Sequence, residues 1–174
     1  MTILDQQPQS TNLQSPLNFV FNIARTPSIN YQCQEVNVPQ IILPPAKTPT
    51  PFIGIPFPGD HINFSPLTIT FKVDDLLQNW LEIFNWMNGL GNPDATATVF
   101  NQLQSNPSYS PYGEVSDIRL MNLNSQKNPT YVFTFEKAWP TSLSGLSFTS
   151  KDPSLNYMTA SVTFMYLKYS LSYP

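Results

Sequence analysis

The chain has 174 residues, of which 41% are hydrophobic and only 11% charged, with a net charge of −3. That length predicts one domain with a full core, and that hydrophobic share argues against wholesale disorder. So few charges, with no cluster of Lys and Arg, exclude a chain built to grip nucleic-acid phosphates and leave a polar surface suited to protein–protein contact.

Residues 1–16 are polar, rich in Gln and Ser, and read as a mobile arm. They lack a basic start followed by an apolar run, so no secretory signal is expected, and no apolar run in the chain is long enough for a membrane span. Residues 18–24 alternate, with Phe19, Phe21 and Ile23 against Asn18, Val20 and Asn22, and predict a first strand. Thr26-Pro27-Ser28 reads as a turn, and residues 29–38 as a second strand closing a hairpin with the first.

Residues 39–60 hold seven prolines, with Pro66 just beyond. Proline cannot donate to a ladder, so this is not a central strand. Yet Ile41, Ile42, Leu43, Phe52, Ile53, Ile55 and Phe57 are apolar. Two readings stay open: an extended, stiff arm that docks on a partner, and a surface loop pinned to its own core.

Residues 66–73 predict a strand, with Leu67, Ile69, Phe71 and Val73 on one face and Thr68, Thr70 and Lys72 on the other. A helix follows at once, carrying Leu76, Leu77, Trp80, Leu81, Phe84 and Met87 as its apolar stripe. Asp75 and Gln78 predict a capping box, Asp74 and Asp75 suit the positive end of the helix dipole, and Gly89, Gly91 and Pro93 end the helix. Residues 92–113 read as a long loop with a short helical turn near Val99 to Leu103. Residues 114–123 and 130–137 predict strands joined by a polar turn from Asn124 to Pro129. Residues 156–171 predict the longest strand, with Met158, Ala160, Val162 and Phe164 opposite Thr159, Ser161 and Thr163. The expected fold is mainly β with one principal α-helix, an antiparallel sandwich or barrel whose helix covers an open face.

Candidate chemistry is sparse. His61 is the sole histidine, lies beside Asp60 and has no nucleophile motif to serve, so it reads as a turn residue. One histidine and one cysteine predict neither a metal centre nor an internal disulfide. A lone Cys33 fits a reducing compartment and reads as a buried, inert thiol. Asp74 and Asp75 are adjacent, point apart and are better explained by capping than by acid–base work. Gly54, Gly59, Gly89 and Gly91 have turn and cap spacing, not that of a phosphate loop. Trp80, Trp86 and Trp139 are candidates for a stacking platform; without interleaved basic residues they read as packing. No cofactor and no enzymatic activity are expected.

Four segments in order carry a resemblance. They are Phe19 to Ile23 with Tyr31 to Pro39; Pro58-Gly59-Asp60 before the strand at Leu67; the helix ending Ile83-Phe84-Asn85-Trp86; and Ala138-Trp139-Pro140-Thr141-Ser142-Leu143-Ser144-Gly145-Leu146 before an alternating final strand. Together they cover most of residues 18–170, and the Trp-Pro-Thr segment is the most specific. The chain resembles the tail tube proteins of contractile-tailed bacteriophages. The resemblance implies a structural virion protein of the phage tail, assembled in the host cytoplasm. It implies rings, usually hexameric, whose strands close one barrel between subunits around a channel for DNA. Its implied partners are further copies of itself and other tail proteins such as sheath, baseplate and tape measure, with DNA passing ungripped.

On that reading Thr68, Thr70, Thr159, Ser161 and Thr163 are the expected lumen-facing residues, because an uncharged polar face lets DNA slide. Phe52, Ile53, Ile55, Phe57, Tyr109 and Tyr112 are the expected subunit-interface residues. The proline-rich arm and the extended 92–113 segment depart from a repeating tube subunit and leave open a single ring at a tube end, either a baseplate initiator or adaptor or a tube terminator. A carbohydrate- or peptide-binding β-sandwich is the alternative from another class.

Overall fold

The computed structural model describes residues 13–49, 51–91, 114–151 and 157–173. Its elements in chain order are β1 (Phe19–Ile23), α1 (Pro27–Asn30), β2 (Cys33–Asn37), β3 (Ile41–Ile42), β4 (Ala46–Pro49), β5 (Gly54–Phe57), β6 (Asn63–Phe64), β7 (Leu67–Lys72), α2 (Gln78–Gly91), β8 (Ser116–Leu123), β9 (Pro129–Leu143), β10 (Thr159–Met165) and β11 (Lys168–Ser172). The main sheet runs β1-β8-β9-β10-β7-β2, with β11 also on β9. All its pairings are antiparallel.

β9 holds the architecture together. Its first part pairs with β8 on one side and β11 on the other; its last part pairs with β10. The ribbon of β9 with β10 and β11 therefore turns a corner and belongs to two sheets. Lys137 sits at that corner with φ 52, and its backbone N–H donates to Asp117 Oδ1 at 3.0 Å. Phe135, Tyr166, Tyr169 and Phe64 fill the bend with tilted and edge-on ring contacts. Burial pushes the Tyr166 hydroxyl up to about 12, with Tyr169 adding to the shift, and that hydroxyl donates to Ser65 O at 2.7 Å.

Both sheets turn their apolar faces to one core. Phe21, Ile23, Ile118, Leu120 and Phe135 come from one; Leu67, Ile69, Phe71, Ala160, Val162 and Phe164 come from the other. The period-two alternation read at residues 66–73 and in the final strand is present, with every second residue buried. β1 alternates as expected too.

Several expectations are corrected. β1 and β2 form no hairpin: Thr26-Pro27-Ser28 opens the one-turn helix α1, and β2 goes to β7 while β1 goes to β8. The final strand is two, broken at Tyr166–Leu167, and the longest strand is β9, with 15 residues. Pro140 lies inside β9, beyond the last β8 pair at Ser116–Ala138, where one side of the strand is an edge and tolerates a missing N–H. The 92–113 loop with its short helical turn lies outside the described residues.

The helix also differs. No capping box forms, because α2 begins at Gln78, after a turn closed by Leu77 N–H to Asp74 O at 2.9 Å. Leu77 has φ 57, so it and Leu76 leave the helical stripe. The buried face is Asn79, Ile83, Trp86 and Gly89, with Trp80 and Met87 of the expected stripe partly buried against the core, whereas Leu76, Leu81 and Phe84 are exposed. Asn79 is fully buried and anchors the helix start. Its Oδ1 accepts from Trp80 N at 2.8 Å and Asp74 N at 3.2 Å; its Nδ2 donates to Lys72 O at 2.7 Å and to Gln32 Oε1. Replacing it by Leu strands these groups, each costing about 1–3 kcal/mol when buried unpaired. Asn79→Leu is expected to lower unfolding stability by about 3 kcal/mol in urea titration, with the slope unchanged.

Candidate assembly surfaces

Three surfaces stand out. The first is the outer face of the β7–β10 sheet. Register places Thr70 opposite Ser161 and Thr68 opposite Thr163, with Thr159 opposite Lys72. All five expected lumen residues thus share one face, and the Thr68 and Thr163 hydroxyls lie 3.5 Å apart. β2 adds Glu35 and Asn37, opposite Thr70 and Thr68, and β9 adds Ser142 opposite Thr163. Alternation alone puts Lys72 on this face beside Thr68 and Thr70; Glu35, Asn37 and Ser142 come from other strands, and only cross-strand register brings them there. The face is a field of hydroxyls and amides with one acid and one base.

The second is the proline-rich arm. β4 and β5 pair only with each other, and β3 pairs with β6 at the base. Every residue of β3, β4 and β5 is exposed. Phe52 is 99% exposed at the tip, followed by exposed Ile53, Ile55 and Phe57. The pinned-loop reading fails, since this hairpin packs no apolar side chain into the core. Proline is tolerated because each of its two strands has an unpaired side: Lys47 pairs with Pro56, and Pro49 with Gly54. Tyr109 and Tyr112 lie outside the described residues.

The third is the gap between β1 and β2. These strands end the main sheet on opposite sides and make no ladder with each other. The cavity between them has a volume of about 610 Å³ and is lined by residues 14–18 ahead of β1, by Phe19, by residues 34–38 and by Leu120, Asn122 and Phe133.

The remaining candidates carry no chemistry. His61 and Asp60 pair with each other and are almost fully exposed. Cys33 is half-buried, its thiol pushed up to about 12 by burial, an effect the hydrogen bond to Glu35 O partly opposes. Asp74 and Asp75 occupy the turn before α2. Trp86 is 2% exposed, donates from Nε1 to Glu114 O at 2.9 Å and lies under the Arg25 guanidinium at 4.6 Å. Trp80 is partly buried against the core and donates from Nε1 to Ser144 O at 3.2 Å, so of the three platform candidates only Trp139, at 37%, is exposed. Among the described residues no three His, Cys, Asp or Glu side chains group as metal ligands, and no helix is long and apolar enough to cross a membrane.

A two-sheet β fold with a self-paired apolar arm and a neutral polar face is that of a protein that works through its surfaces. Residues 6–172 match the family described as phage tail tube protein, and the chain belongs to that family. Its members are structural tail proteins, so the chain is a structural tail component and not an enzyme. It is 29% identical over 171 residues to the tail tube terminator protein of Enterobacteria phage T4, covering 92% of this chain and 90% of that one. Among solved structures it resembles the tube-terminating cap of the anti-feeding prophage, with TM-score 0.65 at 13% identity over 100% of both chains. It also resembles a chain of the PVC extracellular contractile injection system sheath–tube complex, with TM-score 0.61 at 14% identity over 94% of each. These two likenesses concern the fold.

Proposed function

We propose that this chain is a tail tube terminator, closing a hexameric ring that seats once at an end of the phage tail tube. The observation that carries this reading is the identity to the T4 terminator, spread over nearly the whole of both chains. The likeness to a tube-terminating cap supports it. In the ring, Thr68, Thr70, Thr159, Ser161 and Thr163 face the channel and DNA passes without being held. Phe52, Ile53, Ile55 and Phe57 on the arm make contacts between subunits, and Tyr109 and Tyr112 join them. Neighbouring copies finish the sheet, which removes its open edges. Its other partners are the tube and sheath proteins beside it, with tape measure in the channel, and the complex assembles in the host cytoplasm into the virion.

The second reading is a repeating tube subunit, favoured by the likeness to the sheath–tube complex. Quantitative mass spectrometry of purified particles separates the two. A terminator is expected at one ring's worth of copies per particle, a tube subunit at one ring per layer. Cryo-electron microscopy of the same particles checks the lumen: a β7–β10 face turned away from the axis rejects that assignment.

A further inference from the structure

We propose that the groove between α2 and the end of β9 receives Tyr31 of the next copy of this chain. The inference rests on the ring-forming reading above and names a side chain that anchors one subunit to its neighbour.

The outer side of α2 is uncharged. Glu82 is the one charged residue in Gln78–Gly91, and it is turned toward α1, where Ser28 Oγ donates to its Oε1 at 2.6 Å. Phe84 lies stacked on Trp80, with ring planes 13° apart. Beside them is a cavity of about 450 Å³, walled by Trp80, Phe84 and Met87 on the helix and by Leu143 and Gly145 at the end of β9, with Asn88 supplying an amide. Apolar walls with one polar group suit a tyrosine, whose ring seeks the first and whose hydroxyl seeks the second. The Met87 thioether adds a sulfur–aromatic contact.

Position decides the occupant. The groove borders an open sheet edge: Trp139 to Leu143 pair with β10 alone, because the β11 ladder stops at Glu136 and the β8 ladder at Ala138. At the far side of the same sheet, β2 pairs with β7 alone. Strand direction alternates through β9, β10, β7 and β2, so a copy rotated about a ring axis brings its β2 antiparallel to β9. The ends match as well. Cys33 is level with Phe71 and Ala160, and that row runs into the groove, since Val162 pairs with Leu143 and Ser144 N–H donates to Ser161 O at 2.8 Å. Tyr31 precedes Cys33 by two residues and is 95% exposed. It flanks the β2 edge at the end of the sheet where the groove lies, whereas the exposed Val38 flanks the opposite end. Cys33 packs on the core side, which is the side α2 covers.

The test uses the full chain and mass photometry. Tyr31→Ala and Phe84→Ala are each expected to raise the concentration at which rings form by about tenfold, the loss of one interface aromatic. The two together are expected to cost no more than either alone, because both remove one contact. Gly145→Leu is expected to have the same effect by filling the groove, and it fits the fold, since a Cβ there meets nothing within 4 Å. In a Cys33→Ser background, Tyr31→Cys with Asn88→Cys and a short bifunctional maleimide is expected to give a denaturation-resistant series from dimer to ring. Either single-cysteine variant is expected to give none. Circular dichroism melts close to that of the unaltered chain establish that each variant folds. Rings that form without regard to Tyr31, or with losses that simply add, and with no cross-linked series, overturn the proposal, leave the ring standing and hand the groove to residues 92–113 of the same chain or to another protein. An unaltered chain that forms no ring at any concentration overturns the ring-forming reading and the proposal with it.

Discussion

Trp86→Ala is expected to unfold the domain, or leave it barely folded, while Phe84→Ala two residues away leaves stability nearly unchanged. Trp86 sits under β10, with its ring centroid 6.0 Å from that of Phe164, and is almost wholly buried. Truncating a buried Trp costs about 3–5 kcal/mol through lost burial and the cavity left behind. Two further losses add to this: Glu114 O loses its donor and Arg25 loses the ring face beneath it. A domain typically has about 5–15 kcal/mol in total, so the change consumes much of its stability. Phe84 is exposed and stacks on Trp80 at 5.3 Å, and its truncation is worth under about 1 kcal/mol. Trp86→Phe separates the causes. It keeps most of the packing and loses the indole N–H, for a cost of about 1–2 kcal/mol. Urea titration followed by circular dichroism reads all three. Equal losses for Trp86→Ala and Phe84→Ala would mean the helix is seated on its other face.

That comparison also shows where sequence reading stops. The segment before and within α2 carries two apolar stripes at helical spacing. One begins at Leu76 and Leu77 and runs through Trp80, Leu81 and Phe84; the other is Ile83, Trp86 and Leu90. The first is longer and is the one periodicity favours. It keeps Trp80 and Met87 against the core but loses Leu76, Leu81 and Phe84 to the surface, because Leu77 adopts a positive φ and because the buried stripe is headed by a polar residue, Asn79, that reads as surface. Asn79 is buried because groups from the end of β7, from the turn before β2 and from the turn before α2 meet it, a circumstance no local pattern contains.

Strands with one buried face were legible, since burial enforces alternation in Leu67–Lys72 and Thr159–Met165. Their partners were not. Adjacency in sequence favours a β1–β2 hairpin, yet Phe19 pairs with Asn122, a hundred residues on. The lumen candidates were legible from alternation and fell together because β7 and β10 are neighbours. Glu35, Asn37 and Ser142 needed the register. The arm's apolar character was legible, and its self-pairing was not, because proline content argues against ladders only where both sides of a strand must be filled.

Gly59→Ala is expected to abolish ring assembly while leaving the domain folded. Gly59 lies where the outgoing strand of the arm passes its incoming strand. A Cβ there would sit 2.0 Å from Pro44 O and 3.2 Å from Pro44 C. Both are backbone atoms, bracketed by Pro44 and Pro45, so no side chain can swing aside. The two strands must separate, which breaks the alignment of Ala46 with Phe57 and turns the tip carrying Phe52 and Ile53. None of this reaches the core, because the hairpin is exposed along its length and packs nothing into it. The unfolding midpoint in urea is therefore expected within about 0.5 kcal/mol of the unaltered chain. Assembly depends on the direction in which the arm points, and a small shift at its base is magnified at its tip. Gly54, near that tip, supplies the control: a Cβ there meets nothing closer than the Lys47 Cδ at 4.0 Å, so Gly54→Ala is expected to assemble. Rings from Gly59→Ala at unaltered concentration would show that the arm's aim does not matter, and the contact that closes the ring would have to lie on the polar sheet or the outer face of α2.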